Sequence, residues 1–268
     1  MSTVDPDRLL RHRNDGVLAA RAAGELLKRR PERVHHKGAI DLVTEIDLAS
    51  ERTIREVLGR LDPAVPVQGE EGGGQEGGLR WVVDPLDGTT NFVHGFPFYC
   101  VSIGLCDGPR PLVGVIYDPV RDQCFSGALG GGATVQVGAA PPTPLAVSNT
   151  RVLSDALVIT GFPYDRVKNS VFYLSYVQRV LEGTQGVRRS GSAAMDMTCV
   201  ANGSADAFWE FGLHAWDTAA GAVLVAEAGG EITRLDGSAW APEIPELLVS
   251  NRWLHEAFVR LFEDLPRQ

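Results

Sequence analysis

Apolar residues recur at helical spacing across residues 6–28 (Leu9, Leu10, Val17, Leu18, Ala22, Leu26), and Arg29-Arg30-Pro31 closes the run. This predicts an amphipathic helix whose cationic end suits the helix dipole. Residues 34–41 lose the period and read as a loop. A second helix is predicted to begin near Asp47, pass through Ala49, Ile54, Val57 and Leu58, and stop before Asp62-Pro63. Residues 69–78 carry six glycines among their acids, too many for a stable element, and predict a mobile acidic loop. Trp81, Val82 and Val83 are bulky and mostly β-branched, as in a buried strand, and the Asp-Pro and Asp-Gly pairs that follow are turn chemistry.

Residues 99–106, 111–117 and 123–126 alternate or run apolar between Asp-Gly-Pro and Asp-Pro punctuation, predicting an antiparallel meander. Residues 127–144, rich in Gly, Ala and Pro, mark a boundary between an N-terminal half of about 140 residues and a C-terminal half. In the second half, strands are predicted over 156–160, 205–209 and 231–235. Helices are predicted over 169–181, 192–201, 216–228 and 251–262, the third stopped by Gly229-Gly230. No internal repeat is visible.

A chain of 268 residues can bury a substantial core without a staple. Its formal net charge of −9 disfavours sequence-independent attraction to nucleic acid or an anionic membrane, both of which need clustered cations. Small molecules and cations are the expected partners. Cys100, Cys106, Cys124 and Cys199 lack zinc-site spacing and read as reduced core residues. With no signal-peptide core and no membrane-length apolar run, the expected compartment is the cytoplasm.

The candidate chemistry is acidic. Asp84 and Asp87 sit at a strand exit, where a proline turn aims two carboxylates at one point beside Gly88-Thr89-Thr90. Glu70 lies in the glycine-rich loop, and Asp217 opens the alanine-rich helix. Singly, each has an ordinary reading: Asp217 as an N-cap, Asp84 and Asp87 as turn residues, Glu70 as a solvated acid. Thr89 alone is an N-cap hydroxyl and Asp47 a helix-start acid.

In combination they resemble the inositol monophosphatase family of magnesium-dependent, lithium-sensitive phosphatases. The resemblance covers most of the chain, with the motifs in family order. These are Asp41-Leu42-Val43-Thr44-Glu45-Ile46-Asp47, Gly69-Glu70-Glu71, Asp84-Pro85-Leu86-Asp87-Gly88-Thr89-Thr90-Asn91-Phe92 and Trp216-Asp217-Thr218-Ala219-Ala220-Gly221. Gly191-Ser192-Ala193-Ala194 and the segment 205–210 also look like family segments. The turn at Val137-Gly138, where the family usually has Asn-Gly, departs from the pattern, as does the glycine insertion after Glu71.

The resemblance implies that Glu70, Asp84, the Leu86 carbonyl, Asp87 and Asp217 hold two or three Mg²⁺ ions. Hard oxygen ligands are what this ion takes. It further implies that Asp47 and Thr89, with Glu70, activate the attacking water, and that no covalent phosphoenzyme forms. Asp87, Gly88, Thr89, Ala193, Glu210 and Asp217 are implied to contact the substrate, with Glu210 accepting from a polyol or an amino alcohol. Lys37 is a further candidate for the phosphate. Arg188-Arg189 read as a solvated turn, and the histidines are assigned no catalytic role. The implied fold is a five-layer αβαβα sandwich, and family members are commonly homodimers. Thr-Thr-Asn after Asp-Gly looks like the inositol monophosphatase branch rather than the nucleotide-directed one. Inositol monophosphate is therefore the expected substrate, with histidinol phosphate or fructose 1,6-bisphosphate as runner-up. A protein acting through transcription or RNA-processing machinery is the rival from another class.

Overall fold

The computed structural model describes residues 5–36 and 42–267, so Lys37 and Asp41 lie outside the described residues. The chain opens with helix α1 (Pro6–Gly24), where the Asp5 carboxylate accepts the N–H of Asp7 and Pro6 occupies the first turn. A 3-10 turn at Leu26–Lys28 extends it. The face it buries is smaller than the periodicity predicts: Leu9, Ala19, Ala20 and Ala23 are inside, whereas Leu10 and Leu18 face solvent. The helix lies so close to the sheet beneath that Gly16 and Gly24 meet Val115 and Tyr117 directly.

Strand β1 (Val34–His36) pairs antiparallel with β2 (Leu42–Thr44), correcting the reading of residue 34 onward as loop. Helix α2 (Glu45–Leu61) starts two residues before Asp47, because Thr44 caps it and Asp47, at its third position, returns the bond to the Thr44 N–H. The strands that follow are β3 (Val67–Gly69) and β4 (Leu79–Asp87). Strand β4 runs through Asp84-Pro-Leu-Asp87 instead of ending at Val83, with an irregular register between the two aspartates where Pro85 cannot donate to the ladder. After the short helix α3 (Thr89–His94) come β5 (Cys100–Asp107), β6 (Arg110–Asp118) and β7 (Gln123–Ala128). The stretch 127–144 carries the last strands of the meander, β8 (Gly132–Val137) and β9 (Thr143–Pro144).

Beyond it lie β10 (Leu157–Thr160), α4 (Arg166–Gly183), β11 (Gly186–Arg188), α5 (Ala193–Ala201), β12 (Ala207–Phe211) and α6 (Ala215–Glu227). The chain closes with β13 (Gly230–Thr233), β14 (Glu246–Asn251) and α7 (His255–Leu261). The start of the predicted 251–262 helix is thus the end of a strand missed by periodicity, whose apolar run is buried against β12.

Among the described residues, one seven-stranded sheet has the order β3-β4-β5-β6-β7-β8-β9, and a five-stranded sheet has the order β11-β10-β12-β14-β13. The first is antiparallel except for β3 against β4, and the second is mixed. One apolar core joins α1 and α2 to the first sheet, a second fills the space around α5 and α6 between the sheets, and a third joins the second sheet to α4 and α7. The result is the expected αβαβα sandwich. Helix α6 is alanine-rich for a packing reason: Ala219 and Ala220 rest on Gly104 and Gly114, where a Cβ at Gly114 would stand 2.1 Å from the Ala220 carbonyl oxygen.

Candidate active site

The irregular end of β4, the start of α3, the turn after β3 and the N-termini of α5 and α6 open onto one cleft of about 610 Å³. Glu70, Asp84, Leu86, Asp87, Gly88, Thr89, Ala193, Glu210 and Asp217, nine of the ten residues singled out from sequence that the structure describes, line it. Asp47, the tenth, stands directly behind Thr89. Segments up to 147 residues apart, from Glu70 to Asp217, are thus brought to one place.

Each side chain is held by its local backbone. Asp84 Oδ1 accepts the N–H of Leu86 at 2.9 Å, which folds the Asp-Pro-Leu bend over its own carboxylate. Asp87 Oδ2 accepts the Ser192 hydroxyl at 2.8 Å and the Ala194 N–H at 2.6 Å, so the first turn of α5 grips it. Gly88 turns the chain between strand and helix with φ of 96°, a conformation that a side chain would strain. The Glu70 N–H donates to the Val83 carbonyl at 3.2 Å, which sets Glu70 beside Asp84. Asp217 Oδ2 takes the His214 N–H at 2.7 Å in the first turn of α6.

Thr89 joins this set to α2. Its hydroxyl lies 3.1 Å from Asp47 Oδ1 and 3.1 Å from the Leu86 carbonyl oxygen. The second Asp47 oxygen accepts the Thr44 N–H at 2.8 Å and the Thr44 hydroxyl at 2.6 Å. With one oxygen saturated by Thr44, Asp47 presents the other to Thr89.

The electrostatics are those of crowded acids. Burial, then the charges of Glu70, Asp87 and Asp217, lift Asp84 well above the usual carboxylate range. Burial and the neighbouring Asp217 raise Asp87 to about 7, against the two hydrogen bonds from Ser192 and Ala194. Asp47 is raised by burial and partly restored by its Thr44 and Thr89 donors. Among the described residues, no three His, Cys, Asp or Glu side chains already stand close enough to hold an ion unaided. The donors nevertheless fit a hard divalent cation: they are oxygens only, their mutual repulsion is relieved by positive charge, and Mg²⁺ keeps several waters alongside few carboxylates.

Glu210 stands at the cleft from within a strand and not beyond its end. It lies within β12, opposite Leu247, and its carboxylate fills the space where Gly161 lacks a side chain. Burial first, and Asp196 second, push it well above the usual range, opposed by Arg189. Arg189 therefore belongs to the cleft mouth and not only to a solvated turn. His214 also lines the cleft, stacked on Trp216 with ring centroids 4.7 Å apart.

Several contributors were missed from sequence. Asn91 donates to the carbonyls of Phe98 and Ser190 at 2.7 and 2.8 Å, tying α3 to the loop between β11 and α5. Its place after Gly88-Thr-Thr was the only signal. Asp196 is 1% exposed, holds the Ser190 hydroxyl and leaves Oδ2 without a partner. The wall formed by Phe162, Pro163, Tyr164 and Arg166 carries no sequence signature.

Comparison with known proteins gives the same picture. The family model for the "Inositol monophosphatase family" matches residues 13–267. The chain is 44% identical over 237 residues to a Nus factor SuhB of Pseudomonas aeruginosa, covering 84% of this chain and 86% of that one. It is 41% identical over 260 residues to an inositol-1-monophosphatase of Synechocystis, covering 94% and 88%. The solved inositol monophosphatase of Anabaena superposes with a TM-score of 0.85 at 39% identity, covering 97% of this chain and 98% of that one.

Proposed function

Because this chain belongs to the inositol monophosphatase family, a family of metal-dependent phosphatases, we propose that it is a Mg²⁺-dependent, lithium-sensitive hydrolase of small phosphate monoesters, with inositol 1-phosphate as its substrate. The observation that carries this reading is the single cleft where Glu70, Asp84, Asp87 and Asp217 meet the Thr89–Asp47 pair.

Glu70, Asp84, the Leu86 carbonyl, Asp87 and Asp217 would hold two or three Mg²⁺ ions. When bound, the ions neutralise the phosphate dianion, acidify water and support the departing alkoxide. The protein's own groups then divide the work. The Thr89 hydroxyl donates to Asp47 and can accept from an incoming water, so the water's proton passes through Thr89 toward the Asp47 carboxylate. Asp47 is suited to receive it because burial makes its carboxyl more basic than a solvated one. The N–H groups of Gly88 and Thr89 offer donors to phosphate oxygens. Ala193 leaves room for the alcohol, and Glu210 orients its hydroxyls by accepting hydrogen bonds.

The test is a panel of inositol 1-phosphate, histidinol phosphate, fructose 1,6-bisphosphate and a 3′-phosphonucleotide compared by kcat/KM. The highest value for inositol 1-phosphate, with inhibition by Li⁺ titrated at fixed Mg²⁺, is the expected result. A higher value for another ester would reassign the substrate, and no hydrolysis of any would refute the enzyme reading. The reading includes a cytoplasmic homodimer, consistent with four unpaired cysteines and the exposed apolar stripe Val171, Leu174 and Leu181 on α4. A second reading, partner binding in transcription, draws on the name of the Pseudomonas relative. Pull-down with RNA polymerase tests it independently of turnover.

A further inference from the structure

The turn that carries Glu70 is held from behind by α2. Glu51 is 4% exposed and accepts the Glu71 N–H at 2.8 Å on Oε2 and the Gly72 N–H at 3.0 Å on Oε1. Arg55, one helical turn further, pairs with Glu51 at 2.8 Å and donates to the carbonyls of Val67 at 2.8 Å and Gly73 at 2.6 Å. It thus ties the strand before the turn to the residue that ends it. Between Gly69 and Gly73 a backbone bond of 3.0 Å closes the turn.

The fit is close. A Cβ at Gly72 would stand 2.6 Å from Glu51 Oε1, and one at Gly69 would stand 2.4 Å from the Glu51 carboxyl carbon. Gly69 and Gly72, two of the glycines that make 69–78 read as mobile in sequence, are the ones that admit a buried carboxylate beneath the turn. Glu51 does not line the cleft, yet it lies four residues after Asp47 on the same buried face of α2. One helix face therefore fixes both Thr89, through Asp47, and the Glu70 turn, through Glu51.

We propose that Glu51 and Arg55 act as a positioning clamp that sets the cleft's affinity for its divalent cation by ordering Glu70 in advance. The inference rests on the metal-dependent reading above. A turn already ordered loses no further chain entropy when an ion arrives, whereas a released Gly-rich turn must be ordered by the ion itself. Groups that orient a metal ligand typically contribute about 10–100-fold to metal affinity.

The test is Mg²⁺ binding to substrate-free protein by isothermal titration calorimetry, with the Mg²⁺-induced rise in Tm as a second readout. Two variants are compared with the wild type. Glu51→Gln leaves one of the two N–H groups facing an amide donor. Gly72→Ala keeps the Glu51 charge but displaces its carboxylate, which separates positioning from a loss of negative charge. Gly72 has no left-handed backbone requirement, so this variant also guards against a simple failure to fold. Both are expected to bind Mg²⁺ about 10–100-fold more weakly and to recover kcat at saturating Mg²⁺. Wild-type affinity in both folded variants would overturn the clamp. A wild type that binds no Mg²⁺ would instead overturn the metal-dependent reading, and the clamp with it.

Discussion

Asp87→Asn should make the metal-free protein more stable at pH 8, even though it removes one of the carboxylates proposed to hold the cation. Asp87 is raised from 3.8 to about 7 by burial and by Asp217, a difference that corresponds to about 4 kcal/mol of ionisation cost at high pH. The sign follows from linkage: a carboxyl with a raised folded-state pKa favours the fold below pH 3.8, and that contribution is lost as pH rises through about 7. The wild type therefore loses stability across this window and the amide does not. Against this gain, the substituted amide keeps only one good acceptor for Ser192 and Ala194, a loss of about 1.5–3 kcal/mol for a charge-assisted bond. The net is about 1–2 kcal/mol, or roughly 5 °C in Tm for a chain of this size. Differential scanning fluorimetry in chelator at pH 5 and pH 8 reads it directly. At roughly 100-fold excess of Mg²⁺ over Kd the wild type gains about 2.7 kcal/mol, the variant gains less, and the order reverses. A variant that melts below the wild type at pH 8 in chelator, or a difference identical at both pH values, would refute the reasoning.

Thr89→Val removes the hydroxyl between water and Asp47 while keeping the shape. Its kcat should fall by about 10²–10⁴-fold with Mg²⁺ affinity by calorimetry unchanged, and a lost Mg²⁺ affinity would place Thr89 among the ligands instead. Asp196→Asn should raise Tm at pH 8 but not at pH 4, because burial lifts this carboxyl well above its ordinary range and its Oδ2 has no partner to offset ionisation. Equal shifts at both pH values would contradict this. Glu210→Gln should raise KM for inositol 1-phosphate by about tenfold, the order of one charge-assisted hydrogen bond, and leave hydrolysis of a simple aryl phosphate unaltered. Parallel losses on both esters would show that Glu210 supports the metal centre rather than the alcohol.

The candidate site was legible where chemistry and local sequence coincide. Asp84, Asp87, Asp217 and Glu70 sit in motifs whose order and residue types name a cation and a phosphate, and all four line the cleft. Long helices were legible in outline: the predicted start of α2 near Asp47 lies two residues inside its true start after the Thr44 cap, and Gly229 marks the end of α6. What stayed hidden is set by contacts between distant segments. Strand β14 has too short and uniformly apolar a run to declare its period, and only its pairing with β12 and β13 identifies it. Gly69 and Gly72 read as slack because nothing nearby in sequence reveals that Glu51, about 20 residues earlier, fills the space they leave. The predicted strand 205–209 stops short of Glu210, whereas β12 continues to Phe211 and carries the acid within the sheet. Asp196 gave no signal, since an acid in an otherwise apolar helix shows its partners only once Ser190 and Arg189 are placed.

The central claim is that four carboxylates in this cleft bind the cation that makes phosphate hydrolysis possible. It is tested most directly by phosphate release from inositol 1-phosphate after exhaustive chelation, with Mg²⁺ then titrated back, for the wild type and for Asp84→Asn. The account predicts background release in chelator, saturable recovery in the wild type, and no recovery in Asp84→Asn at any Mg²⁺ concentration while its circular dichroism is unchanged. Full turnover in chelator, or wild-type turnover by Asp84→Asn, would contradict it.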